Sequence, residues 1–130
     1  MIDIRELRIG STVLFKGERV KIQRIEGDDV TDAIICERGW IPLEELDPIP
    51  ITGGLLKELG FVEKGEGSFK HWEKYIGEDF FAHAKFNPKT RRCRVEIIDE
   101  DFWTNHGNII CYDLHILQNF VYLTTKQELI

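Results

Sequence analysis

Three observations in the sequence predict an α+β fold: four short β-type segments crowded into the first 47 residues, one clear hairpin between Phe80 and Ile98, and two short stretches of helical periodicity. Together they predict an N-terminal SH3-like small β unit packed on an antiparallel β-meander with two helices. The expected division is residues 1–47 and 48–130, or a single compact domain containing both. At 130 residues and 42% apolar content the chain buries about two-thirds of the surface it exposes unfolded, enough for a real core.

The early segments are expected at Thr12 to Phe15, Arg19 to Ile25, Ala33 to Cys36 and Trp40 to Leu43. Lys16-Gly17-Glu18, Gly27-Asp28-Asp29 and Arg38-Gly39 punctuate them as turns. Trp40, between Gly39 and Ile41-Pro42, is expected to be buried between the two lobes. Pro48 and Pro50 mark the boundary, because each lacks an N–H and drives the preceding residue out of the helical region. Thr52 then caps a two-turn helix with Leu55, Leu56 and Leu59 on one face, and Gly60 stops it.

Beyond that helix the pattern returns to strands, at Phe61 to Lys64 and at Ser68 to Tyr75. The hairpin of Phe80 to Phe86 with Arg91 to Ile98 turns at Asn87-Pro88-Lys89-Thr90. Alternation places Ala82, Ala84 and Phe86 on the same side as Cys93, Val95 and Ile97. His83 and Lys85, with Arg92, Arg94 and Glu96, take the other side. The stretch from Asp99 to Asn108 reads as a loop or bulged return into a short strand ending at Cys111. From Leu114 to about Thr124 a helix gathers Leu114, Ile116, Leu117, Phe120, Val121 and Leu123 in one apolar arc.

Composition narrows the function classes. The longest apolar runs are short and interrupted, so no membrane helix and no membrane partner is expected. Acids in Met1-Ile2-Asp3-Ile4-Arg5-Glu6 do not fit a secretory leader. Cys36, Cys93 and Cys111 are odd in number and sit among apolar neighbours, which points to reduced core thiols and a cytoplasmic protein. No Cys-x-x-Cys pair occurs, and His71, His83, His106 and His115 never fall at linear metal-ligand spacing. No metal and no cofactor is therefore expected.

No catalytic constellation emerges either. Lys64-Gly65-Glu66-Gly67-Ser68 has too few glycines and no following helix for a phosphate loop, and is more simply a turn. Asp99-Glu100-Asp101 lacks the alternating ligands and central glycine of a calcium loop. A thiol site at Cys93 or Cys111 would need a histidine brought in by folding. The chain reads as non-catalytic.

Two surfaces are candidates for binding. The net charge is −6, yet Lys64 to Arg94 holds eight Lys/Arg against four acids, a local +4 that leaves −10 elsewhere. Lys85, Arg92 and Arg94 form a basic strip suited to an anion or nucleic acid, extended by Lys70 and Lys74. The plainer reading of the same charges, and the one the composition favours, is a solvated face that keeps a sheet edge from aggregating. The second surface comprises Phe102 and Trp103 in the acidic loop, with the helix stripe His115, Gln118, Asn119 and Tyr122. A solvated stripe usually carries Lys and Glu, and this one carries none, so it is either a protein-binding face or a set of internal hydrogen bonds. The leading expectation is a protein-binding or adaptor protein, a monomer or weak dimer. A nucleic-acid-binding accessory protein is the alternative, disfavoured by the −4 balance of residues 1–47.

Three stretches carry a family resemblance: Leu7-Arg8-Ile9-Gly10; Pro48-Ile49-Pro50-Ile51-Thr52 with Leu56 and Gly60-Phe61; and Leu117-Gln118-Asn119 with Thr125 and Glu128-Leu129. In order and spacing they resemble uncharacterised small proteins recurrent in Bacteroidetes genomes, prophages and mobile elements. Gly53-Gly54 and Leu55 depart from that pattern, which has acids and an aromatic there. The resemblance implies a shared architecture and a phage or mobile-element origin, and no activity.

Overall fold

The computed structural model describes residues 2–27, 32–67, 70–99 and 105–129. It is an α+β protein of antiparallel sheets with two α-helices, and it divides into two compact units. One unit is Met1–Pro50 with Asp113–Asn119, and the other is Ile51–Tyr112 with Phe120–Ile130. The cut thus follows Pro50, and the C-terminal helix is shared by the two units.

In the first unit, strands β1 (Thr12–Phe15), β2 (Glu18–Lys21), β3 (Arg24–Gly27), β4 (Asp32–Cys36), β5 (Gly39–Pro42) and β6 (Leu46–Asp47) form two three-stranded sheets, ordered β2-β1-β6 and β3-β4-β5. Lys16 and Gly17 both take positive φ, +50° and +79°, giving the tight turn between β1 and β2 its twist. The continuous strand expected from Arg19 to Ile25 is broken. Ile22 N–H bonds to Ser11 and Gln23 N–H to Ile35, so successive amides serve different sheets and the chain must bend between them. Val13, Val20, Ile22, Ile34, Ile41 and Leu46 form the core, with Ile2, Leu7, Cys36 and Leu43. Trp40, expected inside, is 54% exposed. Leu114 N–H donates to Ile49, and Pro50 bridges Asp113, which ties the start of the last helix to this unit.

The second unit begins with helix α1 (Gly53–Glu58), whose Leu55 N–H is capped by Thr52 Oγ1 at 3.0 Å. Gly60, at φ +93°, ends it: Gly60 N–H bonds Lys57 and Phe61 N–H bonds Leu56, a Schellman stop. Strands β7 (Val62–Lys64), β8 (His71–Ile76), β9 (Phe80–Phe86), β10 (Cys93–Asp99) and β11 (Asn105–Cys111) then form one sheet ordered β11-β10-β9-β8-β7. Its inner face buries Ile76, Ala82, Ala84, Cys93, Val95, Ile97 and Cys111. Helix α1 lies on that face, because a Cβ at Gly53 would stand 3.4 Å from the Trp72 ring and the Lys74 ammonium reaches the Leu59 carbonyl. Helix α2 (Leu114–Thr125) gives its first half to the first unit and its second half to this one. Among the described residues no helix is long and apolar enough to cross a membrane.

Candidate functional site

Strand alternation sets the side chains of the opposite face of the five-stranded sheet in ordered rows. Val62, Glu73, His83, Glu96 and Asn108 stand opposite one another across all five strands. Toward the β9–β10 turn the next row is Lys85, Arg94 and Ile110. On the other side lie Tyr75, Phe81, Ile98 and Asn105. The face therefore runs from an aromatic end, with the Tyr75 and Phe81 rings edge-on at 5.2 Å, through an acid and imidazole row, to a basic end.

The basic end holds Lys85, Arg92 and Arg94. Lys85 pairs in register with Arg94, while Arg92 sits where the turn opens and its carbonyl accepts from Asn87 N–H. Asn87 Oδ1 accepts from Lys89 N–H at 2.9 Å, and Arg91 takes φ +62°, so the turn holds its own shape. An open groove of about 720 Å³ runs past Lys70, Lys85, Phe86 and Lys89. A second, of about 280 Å³, runs past Lys85, Arg92, Arg94 and the half-exposed Ile110. Arg94 leans on Glu96 at 3.5 Å and Lys70 on Glu63 at 3.5 Å. Lys85 and Arg92 have no carboxylate partner among the described residues. Lys74, by contrast, belongs to the inner face, where burial pushes its ammonium pKa down.

The middle row and the row beside it toward the basic end hold a cluster that linear spacing does not reveal. His71 and Glu73 share the outer face of β8, and His83 stands directly opposite Glu73 on β9. His71 Nε2 lies 2.8 Å from Glu73 Oε1, and the two imidazole rings are 4.5 Å apart, tilted by 34°. Lys64 Nζ stands 3.5 Å from Glu73 Oε2. Partial burial pushes the Glu73 pKa up, but the His71 hydrogen bond and the neighbouring charges outweigh it and hold the carboxyl below its usual range. Burial, reinforced by the charge of His71, pushes His83 below the ordinary imidazole value against the pull of Glu96 and Glu73. The signal for this cluster was present: a His-x-Glu on an outward strand face, and a second outward histidine equally far beyond the Gly77-Glu78-Asp79 turn.

The helix stripe is placed differently from a binding face. His115 is 1% exposed and Gln118 is fully buried. Gln118 Oε1 accepts from Thr12 N–H at 2.8 Å, and its Nε2 donates to Thr12 Oγ1 at 3.1 Å. His115 Nε2 lies 3.1 Å from Glu6 Oε2, and Asn119 donates to the Glu6 carbonyl. Three of the four stripe residues thus bond within the first unit, where β1 and the N-terminal segment leave polar groups for them to satisfy. Tyr122 is half-buried under the Lys126 ammonium, while Leu123, expected in the apolar arc, is 69% exposed. The buried face of α2 is rotated to include His115, Gln118 and Thr125 beside Leu114, Leu117 and Val121. Phe102 and Trp103 lie outside the described residues. Compared with protein-family models, curated proteins and solved structures, the chain matches none.

Proposed function

We propose that the protein is a non-catalytic, cytoplasmic binding or adaptor protein that docks an acidic segment of a protein partner on the basic end of its outer sheet face. The observation that carries this reading is the convergence of Lys85, Arg92 and Arg94 on open grooves, with two of those cations lacking a carboxylate of their own among the described residues. Ile110, 45% exposed in the same row, offers an apolar contact beside the charges, as a protein interface requires. A single-stranded nucleic acid would want well-exposed aromatic platforms among the cations, but the aromatic in the larger groove, Phe86, is half-buried, and the exposed Tyr75 stands in the row at the far end of the face.

Three further readings accompany this one. An SH3-like first unit is supported by the bent β2–β3 segment shared between two small sheets and by the 3-10 turn Leu43–Glu45 before β6 returns to β1. Cytoplasmic residence is supported by three buried cysteine thiols. A phage or mobile-element origin rests on the three resembling stretches alone.

The test uses a labelled oligoglutamate peptide and a single-stranded oligonucleotide, each titrated by fluorescence anisotropy at several salt concentrations. Peptide binding that the triple variant Lys85→Glu, Arg92→Glu, Arg94→Glu abolishes supports the reading. Oligonucleotide binding that is tighter, steeply salt-dependent and lost in the same variant replaces it with the nucleic-acid reading. Peptide binding that survives the triple reversal refutes the site.

A further inference from the structure

We propose that His71, Glu73 and His83 form a binding site for one divalent transition-metal ion of the zinc class. The site adjoins the docking surface on the same sheet face: Glu73 and His83 share the middle row, and His71 stands one row nearer the basic end. Three donor atoms, two imidazole nitrogens and a carboxylate oxygen, all lie within 4.8 Å of one another. A tetrahedral ion with bonds of about 2.1 Å holds its ligand atoms about 3.4 Å apart, so no separation closes by more than about 1.4 Å and the 2.8 Å contact of His71 with Glu73 opens by about 0.6 Å, both within reach of side-chain rotation. The backbone is already in place. Glu73 and His83 are register partners on adjacent strands, and His71 is two residues from Glu73, hence on the same face.

The surroundings support a metal rather than a bare hydrogen-bonded cluster. Glu73 offers Oε1 toward His71 while Lys64 stands by Oε2, so a monodentate carboxylate keeps an outer partner. Glu96 is the register partner of His83 on β10, and its charge acts on that imidazole, so it is the candidate outer partner for the nitrogen that does not bind the ion. All three ligands are half-buried, which leaves a coordination position toward solvent for water or an incoming group.

Donor chemistry selects the metal class. Two imidazoles favour zinc, cobalt, nickel or ferrous iron, whereas calcium and magnesium require oxygen donors and mostly charge. Lys64 and Arg94 close by weaken any site that depends on charge alone. Cys93 and Cys111 cannot contribute, because they point into the opposite, buried face.

The experiment titrates the chelator-treated full chain with Zn²⁺ by calorimetry and with Co²⁺ by visible absorption. One ion per chain is expected, with the ligand-field bands of cobalt bound to nitrogen and oxygen and no thiolate charge-transfer band. His71→Ala and His83→Ala should each weaken binding by at least about 100-fold, and Glu96→Gln by about 10-fold. His106→Ala, which alters a separate histidine paired with Asp99, should leave affinity unchanged. Circular dichroism of each metal-free variant checks folding, and Glu73→Gln, which preserves shape, gives the same loss if an alanine variant does not fold. The proposal is overturned if the native chain takes up no stoichiometric ion, if a thiolate band appears, if Mg²⁺ competes with Zn²⁺ at equal concentration, or if Glu73→Gln and the folded histidine variants bind as tightly as the native chain.

Discussion

Replacing Gln118 by alanine removes both hydrogen bonds to Thr12 and should be among the most damaging single changes in the first unit. Gln118 is fully buried and Thr12 only 9% exposed, so water cannot replace the lost partners. The Thr12 N–H, now 2.8 Å from Gln118 Oε1, becomes a buried donor without an acceptor, at a cost of about 1–3 kcal/mol. Loss of the Cγ methylene adds about 0.8 kcal/mol, and incomplete collapse of the site adds more. The sum is roughly 2–4 kcal/mol, a large share of a typical stability of about 5–15 kcal/mol. Urea denaturation followed by far-ultraviolet circular dichroism measures it. Gln118→Leu separates the terms, since it refills the volume but still leaves the amide unpaired, and should cost about 1–3 kcal/mol. A change of less than about 0.5 kcal/mol for Gln118→Ala, the level of a surface substitution, would refute the internal placement of this side chain.

Other perturbations have equally definite outcomes. Thr52→Ala removes the cap on Leu55 N–H and should cost about 1 kcal/mol by the same denaturation assay, with Thr52→Asn nearly neutral. Gly107→Ala should destabilise by about 1–3 kcal/mol, because φ is +148°, a conformation that residues with a Cβ rarely adopt. Asp113 has its pKa raised above 3.8 chiefly by burial, with Glu6 adding to the rise and His115 opposing it. The folded state therefore binds this proton more tightly, its contribution to stability is fully present below 3.8 and is lost as pH rises through the raised pKa, and Asp113→Asn should stabilise the protein at pH 7. Urea midpoints at pH 4 and pH 7 check the sign, and a midpoint at pH 7 lowered by Asp113→Asn contradicts it.

Much of the second unit is legible in the sequence, because its signals are local. Strict alternation from Phe80 to Ile98 sets both faces of the β9–β10 pair, and Lys85 and Arg94 emerge opposite each other as the pattern requires. Thr52 and Gly60 bracket α1 through backbone hydrogen bonds that need no distant partner. The features that local reasoning leaves open or misses depend on distant residues. The sequence admits Gln118 either as a partner-facing residue or as an internal hydrogen-bonding one, and Thr12, more than a hundred residues away, decides for the inside by supplying a buried amide and hydroxyl. The break between β2 and β3 arises because two sheets compete for adjacent amides, which alternation cannot express. His71, Glu73 and His83 require the β8–β9 register, which the turn at Gly77-Glu78-Asp79 fixes but which linear ligand spacing ignores.

The central claim is that the basic end of the outer sheet face is the working surface. Amide chemical-shift mapping of the isotope-labelled chain, titrated with the oligoglutamate peptide, tests it most directly. The account predicts shifts confined to the end of β9, the β9–β10 turn, the start of β10 and Ile110, all abolished by reversing Lys85, Arg92 and Arg94. Shifts centred instead on the first unit, around the exposed Trp40, or no saturable shifts at all, would contradict it.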